Sequence, residues 1–277
     1  MTPDEYCQQK AAASGSSFYY SFVFLPDERR RAITALYAFC REVDDVVDET
    51  QDPQVAATKL AWWRREVANL YAGEPQHPVT RALLPHVTSF SLEQENLLLI
   101  IDGMEMDLTQ TRYLDWQALE RYCYRVASVV GLLAARIFGY ADAQTLEYAR
   151  NLGLAFQLTN IIRDVGEDAR KNRIYIPMED LKRFAVPAAD LLNGRESPAF
   201  VELMKYESER ARRYYAEAFA ALPAGDRRAQ RPGLIMAAIY RTLLDEIEAD
   251  GFRVLKGKIS LTPLRKLWIA WKTWVTA

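Results

Sequence analysis

Residues 40–49, CREVDDVVDE, crowd carboxylates around one arginine directly after the apolar run ITALYAF. On a helix, at ~100° per residue, Tyr37, Arg41, Asp44 and Asp48 fall at roughly 0°, 40°, −20° and 20°. A phenol, a guanidinium and two carboxylates therefore share one narrow stripe. Ala35, Leu36, Ala38, Phe39, Val43, Val46 and Val47 fill the other faces, whereas a helix lying on the surface would show a broad polar face. Asp45 stands about 80° off the stripe and reads as a residue behind it. The device recurs in GLAFQLTNIIRDVGED, residues 153–168. There Gln157, Asn160, Asp164 and Asp168 fall at roughly 0°, −60°, −20° and 20°, among Leu154, Ala155, Phe156, Leu158, Ile161 and Ile162.

Carboxylates set among apolar neighbours are costly unless compensated. Basic side chains or divalent cations are the two available partners, and the pattern favours cations. Two carboxylates one turn apart hold a hard ion through oxygen, and Mg²⁺ in particular takes one or two carboxylates together with waters and substrate phosphates. Histidine-based metal sites are not expected. The two histidines, His77 and His86, read as residues of proline-rich turns, unpaired on any helix. A single DxxxD spacing is common on helix surfaces. Two of them, each extended by amides or by Tyr and Arg on an apolar-walled stripe, are far more specific. The acids of DGMEMDL, Asp102, Glu105 and Asp107, read either as a further carboxylate cluster or as a solvated helix end.

The elements that position these stripes are helical. Apolar residues recur at three- and four-residue spacing over 29–49, 54–72, 91–109, 115–139, 142–168, 198–221 and 233–250, and strand-like alternation is scarce. Breakers fall between the segments at Pro26, Asp52-Pro53, Gly73 to Pro78, Gly139, Pro177, Pro187, Pro223 to Gly225 and Pro232-Gly233. No gap reads as a linker and no solenoid repeat is present, so residues 1–277 are expected to form one all-α domain. The small residues Ala127, Ser128, Gly131, Ala134 and Ala135 share one side of the 115–139 segment. They suit either a roomy cavity wall or close helix packing.

Half of the 277 residues are hydrophobic, ample for a large core, and the net charge of −2 leaves no electrostatic footprint for nucleic acid. Cys7, Cys40 and Cys123 are odd in number and lack zinc or redox spacing, which fits a reducing, cytoplasmic setting. The start, MTPDEYCQQK, lacks the features of a signal peptide, and no apolar run approaches the ~20 residues of a membrane span.

The stretches SGSSFYYSFVFLP, ALYAFCREVDDVVD, YCYRVASVVG and LGLAFQLTNIIRDVGEDARKNRIYIP resemble the squalene/phytoene synthase family of head-to-head prenyl synthases. The likeness runs over nearly the whole chain and is strongest to the branch that forms presqualene diphosphate in hopanoid biosynthesis. It implies an isoprenoid-synthase helical bundle around a central cavity, with two facing aspartate motifs. It also implies Mg²⁺ as cofactor, with Mn²⁺ as the alternative ion, two molecules of farnesyl diphosphate as substrates, and no need for NADPH. Carried onto this chain, Asp44 and Asp48 form one metal motif, and Asn160, Asp164 and Asp168 the other. Tyr37, Arg41, Gln157, Arg163 and Tyr240 match positions that contact diphosphate, and Ser14, Gly15, Ser16 and Ser17 match a substrate-binding loop. Tyr122 matches a tyrosine of the catalytic cavity; Arg41, Asp44 and Asp164 are the other residues assigned to catalysis. Arg163 lies roughly 100° off its helix's stripe, so its place rests on the resemblance, and Tyr122 and Tyr240 also fit ordinary buried tyrosines.

The expected chemistry is ionisation-dependent alkylation in a water-excluding chamber, with Tyr122 and the departing pyrophosphate as candidate proton acceptors. Alternatives are coupling of geranylgeranyl diphosphate to phytoene, onward conversion to squalene or dehydrosqualene, a metal-dependent diphosphate hydrolase, and a non-catalytic helical assembly factor. The segment GKISLTPLRKLWIAWKTWV sets Leu264, Leu267, Trp268, Trp271 and Trp274 at helical spacing, with Lys258, Arg265, Lys266 and Lys272 interspersed. It reads either as peripheral contact with the inner face of the membrane or as a helix packed on the core. Other enzymes of the same pathway are further candidate partners.

Overall fold

Side-chain caps at Asp52, His77, Asp115 and Ser197 fix four of the helix starts. The structure is a computed structural model and describes residues 1–13, 17–50 and 52–276, without the side chains of Ser17, Tyr19 and Tyr20. In chain order the helices are α1 (Pro3–Ala13), α2 (Ser17–Phe22), α3 (Asp27–Glu49), α4 (Pro53–Ala72), α5 (Pro78–Ser89), α6 (Gln94–Thr109), α7 (Trp116–Cys123) and α8 (Val129–Phe138). They continue with α9 (Gln144–Arg170), α10 (Met178–Arg183), α11 (Ala188–Leu192), α12 (Pro198–Ala221), α13 (Arg231–Ala249) and α14 (Pro263–Thr276). A π-helical turn, Tyr124–Ser128, joins α7 to α8 without a break. Asp52 accepts from Gln54 N–H ahead of Pro53 at the start of α4, and Gly73, at φ 83°, closes that helix in the left-handed conformation. Asp115 and Ser197 cap α7 and α12 in the same way. Among the described residues there is no β-strand, only an isolated bridge between Arg112 and Ile174.

The seven helical segments expected from periodicity all form. Sequence reasoning missed α5, whose prolines read as a turn. Pro78 occupies the first turn of α5, where its missing N–H costs nothing, while Pro85 is accommodated inside the helix. Both histidines therefore change place: His77 is the N-cap of α5, accepting from Val79 N–H at 3.2 Å, and His86 is buried within the helix.

α9 runs against α8, α12, α13 and the π-helical turn, while α3 packs on α1, α4, α5, α6 and α8. Apolar side chains form two clusters, one built from α1 to α6 and α8, the other centred on α9, α12 and α13. Phe18 and Val126 pack against both. α3 and α9 line the cavity between the clusters, which is where their polar stripes are directed.

The small residues of the π-helical turn and α8 serve both of the roles weighed for them. Ala127, Gly131, Ala134 and Ala135 line the cavity. Gly131 and Gly153 also let the turn, α8 and α9 touch backbone to backbone, since a Cβ at Gly153 would stand 2.6 Å from Ala127 O and from Ser128 Cα. Alanine is the better helix former by about 1 kcal/mol, so Gly153→Ala tests this contact against propensity. We expect a net loss of about 2 kcal/mol and a fall of several degrees in Tm. A Tm at or above that of the wild type would show the approach to be looser than described.

Candidate active site

One cavity of about 640 Å³ takes in both stripes. Tyr37, Arg41, Asp44 and Asp48 enter from α3, and Gln157, Asn160, Arg163, Asp164 and Asp168 from α9. Tyr122 and Tyr240 complete the set of expected residues that the cavity brings together. Ser14, Gly15 and Ser16, with the side chain of Ser17, lie outside the described residues. Beyond the polar end the walls are apolar, with Phe22, Leu36, Met104, Phe138, Phe156 and Leu243 among them.

Basic residues meet most of the carboxylates. Arg41 donates to Asp44 at 2.6 Å and to Asp45 at 2.5 Å, and Asp45 turns from the cavity to Lys10. Asp48 reaches the far side of the mouth, where Lys171 and Arg173 contact it at 3.3 and 3.1 Å. The two stripes are thereby tied together. The tie depends on how α9 ends: Asn172 adopts φ 57°, a conformation asparagine tolerates better than most residues, and the chain turns so that Arg173 and Tyr175 face the cavity. Asp164 accepts two bonds from Arg163, at 2.8 and 2.5 Å, and Lys258 stands 3.1 Å away. Tyr240 lies close enough to Arg163 to add to the rise in the guanidinium pKa. Its helical-wheel angle predicted a position off the stripe, but the long side chain swings round to these two partners and joins the cavity wall.

The electrostatics fit an oxygen-donor site for divalent cations. Burial pushes the Asp44 carboxyl up to about 6 against the pull of Arg41, with Asp48, Asp45 and Asp107 adding to the rise. Burial likewise pushes Asp168 up to about 7, reinforced by Asp164 and Glu167, and Asp168 has no ion pair among the described residues. At Asp164 burial acts upward too, but Arg163 and Lys258 outweigh it and hold the carboxyl below its ordinary value. The Asn160 Oδ1 is buried without a hydrogen-bond partner, while its amide Nδ2 donates to Gln157 Oε1 at 3.4 Å. An orphaned carbonyl oxygen one turn from Asp164 and two from Asp168 matches the donor set of a hard ion. Among the described residues no three acidic, histidine or cysteine side chains converge on one point. A Mg²⁺ site has no such requirement, since waters and substrate phosphates take the remaining positions.

Sequence reasoning left Asp107 between two readings and missed its partners. Asp102 and Glu105 do lie toward the surface, paired with Arg64. Asp107 instead is buried against the cavity and accepts from Tyr122 Oη at 2.9 Å and Tyr175 Oη at 2.7 Å. The three rings of Tyr113, Tyr122 and Tyr175 pack within 5.2–5.7 Å of one another. The signal was present: Leu97, Ile100, Met104 and Asp107 run at spacings of three and four on α6, so Asp107 continues an apolar stripe. Lys258, from the irregular stretch before α14, and Lys266, from α14 itself, also line the cavity.

Opposed carboxylate and arginine stripes over an apolar chamber suit a ligand with an anionic head group, met through cations, and a long hydrocarbon tail. The family model for squalene/phytoene synthase matches residues 11–265, and the chain belongs to that family of prenyltransferases, which act on prenyl diphosphates with a divalent metal. It is 36% identical over 285 residues to the 15-cis-phytoene synthase of Synechocystis sp., covering 99% of this chain and 85% of that one. It is 36% identical over 262 residues to the presqualene diphosphate synthase of Sinorhizobium fredii, covering 94% of each. Among solved structures, a dehydrosqualene synthase in complex with ligand matches with a TM-score of 0.86 at 28% identity, covering 99% of this chain and 96% of that one.

Asp107 supplies a pH test. Burial raises its carboxyl from the ordinary 3.8 to about 6, more than the two tyrosine hydroxyls and Arg173 lower it. A carboxyl raised in the folded state binds its proton more tightly there than in the unfolded chain, so its contribution is present at low pH and is lost as pH rises through about 6. We expect the wild type to lose stability between pH 4 and 7, and Asp107→Asn to remove on the order of 2 kcal/mol of that loss. Denaturant unfolding at several pH values reads this, and identical profiles for the two proteins would contradict it.

Proposed function

We propose that the protein condenses two farnesyl diphosphates head-to-head to presqualene diphosphate, with release of pyrophosphate and a proton. The observation that carries the reading is the single cavity in which two oxygen-donor stripes, tied by Asp48 to Lys171 and Arg173, stand at one end of an otherwise apolar chamber. The C–O bond of one substrate breaks and its electron pair leaves with the diphosphate. The double bond of the second substrate adds to the allylic cation, and proton loss closes the cyclopropane.

Asp44 and Asp48 on one side, and Asn160, Asp164 and Asp168 on the other, would hold Mg²⁺, which when bound would neutralise charge on the leaving diphosphate. Arg41, Arg163, Lys171, Arg173 and Lys258 supply further N–H donors around the same carboxylates, where preorganised positive charge favours bond breaking. Tyr37, Gln157 and Tyr240 add polar contacts along the wall. Tyr122 would take the departing proton while passing its own to Asp107, a role supported by the hydrogen bond from its hydroxyl to that carboxyl, which burial raises to about 6. The apolar walls keep water from the cation.

Farnesyl rather than geranylgeranyl chains are supported by the short stretch of α3 that lines the chamber. Ile33 and Asp44 both line it from α3 and stand about 16 Å apart along that helix. At the Ile33 end Phe22 packs on Phe138, with ring centroids 6.4 Å apart, and both rings line the chamber. Coupling of geranylgeranyl diphosphate to phytoene is the second reading, favoured by the 36% identity to a phytoene synthase.

Incubation of the purified protein with Mg²⁺ and either diphosphate, with and without NADPH, separates these readings. We expect a cyclopropyl C30 diphosphate from the farnesyl substrate, unchanged by NADPH. Phytoene as the main product, or squalene on adding NADPH, would overturn the assignment. Asp44→Ala and Asp164→Ala are each expected to lower turnover at least about 100-fold with helical circular dichroism retained. Substantial activity in either variant would refute the metal-binding roles.

A further inference from the structure

α14 has two unlike sides. Ala270 is buried, Trp274 stacks on Phe24 with ring centroids 5.0 Å apart, and the Arg231 guanidinium lies over the Trp274 ring at 5.0 Å from its centroid, so this side anchors the helix to α2 and α13. The other side is bare: Leu264 is 80% exposed, Leu267 47%, Trp268 59%, Trp271 50% and Val275 62%. These five residues fall within roughly 100° of helical arc, and Trp268 stacks on Trp271 at 5.1 Å. A continuous apolar stripe of this kind marks an interaction surface. Among the described residues, no helix is long and apolar enough to cross a membrane.

Charge identifies what the stripe meets. From Phe252 to residue 276 the chain carries Arg253, Lys256, Lys258, Arg265, Lys266 and Lys272 and no acid, although the whole chain has a net charge of −2. Arg253, Lys256, Lys258 and Arg265 have acidic partners on neighbouring elements, whereas Lys272 has none among the described residues. Arg265 and Lys272 border the apolar stripe, at roughly 80–100° from Leu264. Tryptophans on the apolar side with basic residues at its margin suit a helix lying in the headgroup region of an anionic bilayer. A second copy of the chain fits less well, because a two-fold contact would oppose the same basic margins with no acid on the helix to meet them.

We propose that α14 docks the protein on an anionic membrane surface, with Leu264, Leu267, Trp268, Trp271 and Val275 entering the interface. Ile259, Ser260, Leu261 and Lys266 line the cavity, so the docked helix holds one edge of that cavity close to the lipid. The substrates of this family carry long apolar tails, and such an arrangement shortens their path through water. The inference does not depend on which prenyl chain is used.

Flotation of the full chain with phosphatidylcholine vesicles, with and without phosphatidylglycerol, tests it. The wild type should float with the anionic vesicles and show a blue-shifted tryptophan emission. A Trp268→Ser, Trp271→Ser double variant should bind at least about tenfold more weakly, and Lys272→Glu several-fold more weakly on anionic vesicles only. Both variants should keep wild-type circular dichroism and turnover on detergent-dispersed prenyl diphosphate. Absence of wild-type flotation, or equal flotation of the double variant, would overturn the proposal. So would a dimer that the double variant converts to monomer without either protein floating, since the stripe would then belong to a second copy.

Discussion

Carboxylates gathered at the rim of an apolar chamber repel one another and resist losing water, and the architecture follows from keeping them there. Asp44, Asp48, Asp164 and Asp168 sit on two helices that are far apart in sequence and would otherwise separate. Asp48 crosses the mouth to Lys171 and Arg173, while Arg41 and Arg163 each sit beside an aspartate of their own helix. These pairs offset part of the cost of partial burial, and the raised carboxyls of Asp44 and Asp168 show that the compensation is incomplete. That deficit is the property a cation-dependent diphosphate site needs, because a fully neutralised rim would have little affinity left for a metal.

Holding the rim in place constrains the rest of the bundle. α9 must run close to α8 and the π-helical turn, which is why glycine occupies positions 131 and 153, where a methyl group would strike backbone. The π-helical turn Tyr124–Ser128 directs Val126 and Ala127 into the cavity and leaves Ser128 bonded to Arg150 O at 2.8 Å. Extra residues of this kind inside helices are commonly found at functional sites. Asn172 does comparable work at the other end of α9, reversing the chain so that Arg173 and Tyr175 meet Asp48 and Asp107.

Much of this was legible in the residues, and the exceptions have physical causes. The α3 and α9 stripes could be read because both repeat at the helical period against apolar neighbours, so geometry on a single helix was enough. Asp107 was left undecided because Asp102 and Glu105, which do face the surface, obscured its register with Leu97, Ile100 and Met104. Arg163 was placed by resemblance against its wheel angle, because that angle fixes Cβ and not the end of a long flexible side chain. Lys258 and Lys266 depend on the path of the chain after Gly251 and Phe252, both at positive φ, and no periodic pattern encodes that path. The C-terminal segment gave two readings because it has two faces: Ala270 and Trp274 pack inward, while Trp268 and Trp271 do not.

The ion pairs at the rim also bear on why the family resemblance and the physical reading agree. A stripe that served only stability would gain nothing from an orphaned Asn160 carbonyl or from Asp168 crowded by Asp164 and Glu167, since apolar residues of similar volume would stabilise the helix better. A stripe that served only to bind an anion would not carry carboxylates at all. Carboxylates, an amide oxygen and arginines together in one partly buried row make sense when positive ions and a negative ligand must be held at once, each cancelling charge the other leaves exposed. The two rows share that burden across a single chamber, and the apolar volume behind them leaves the tail of the ligand as the part that must be hydrocarbon.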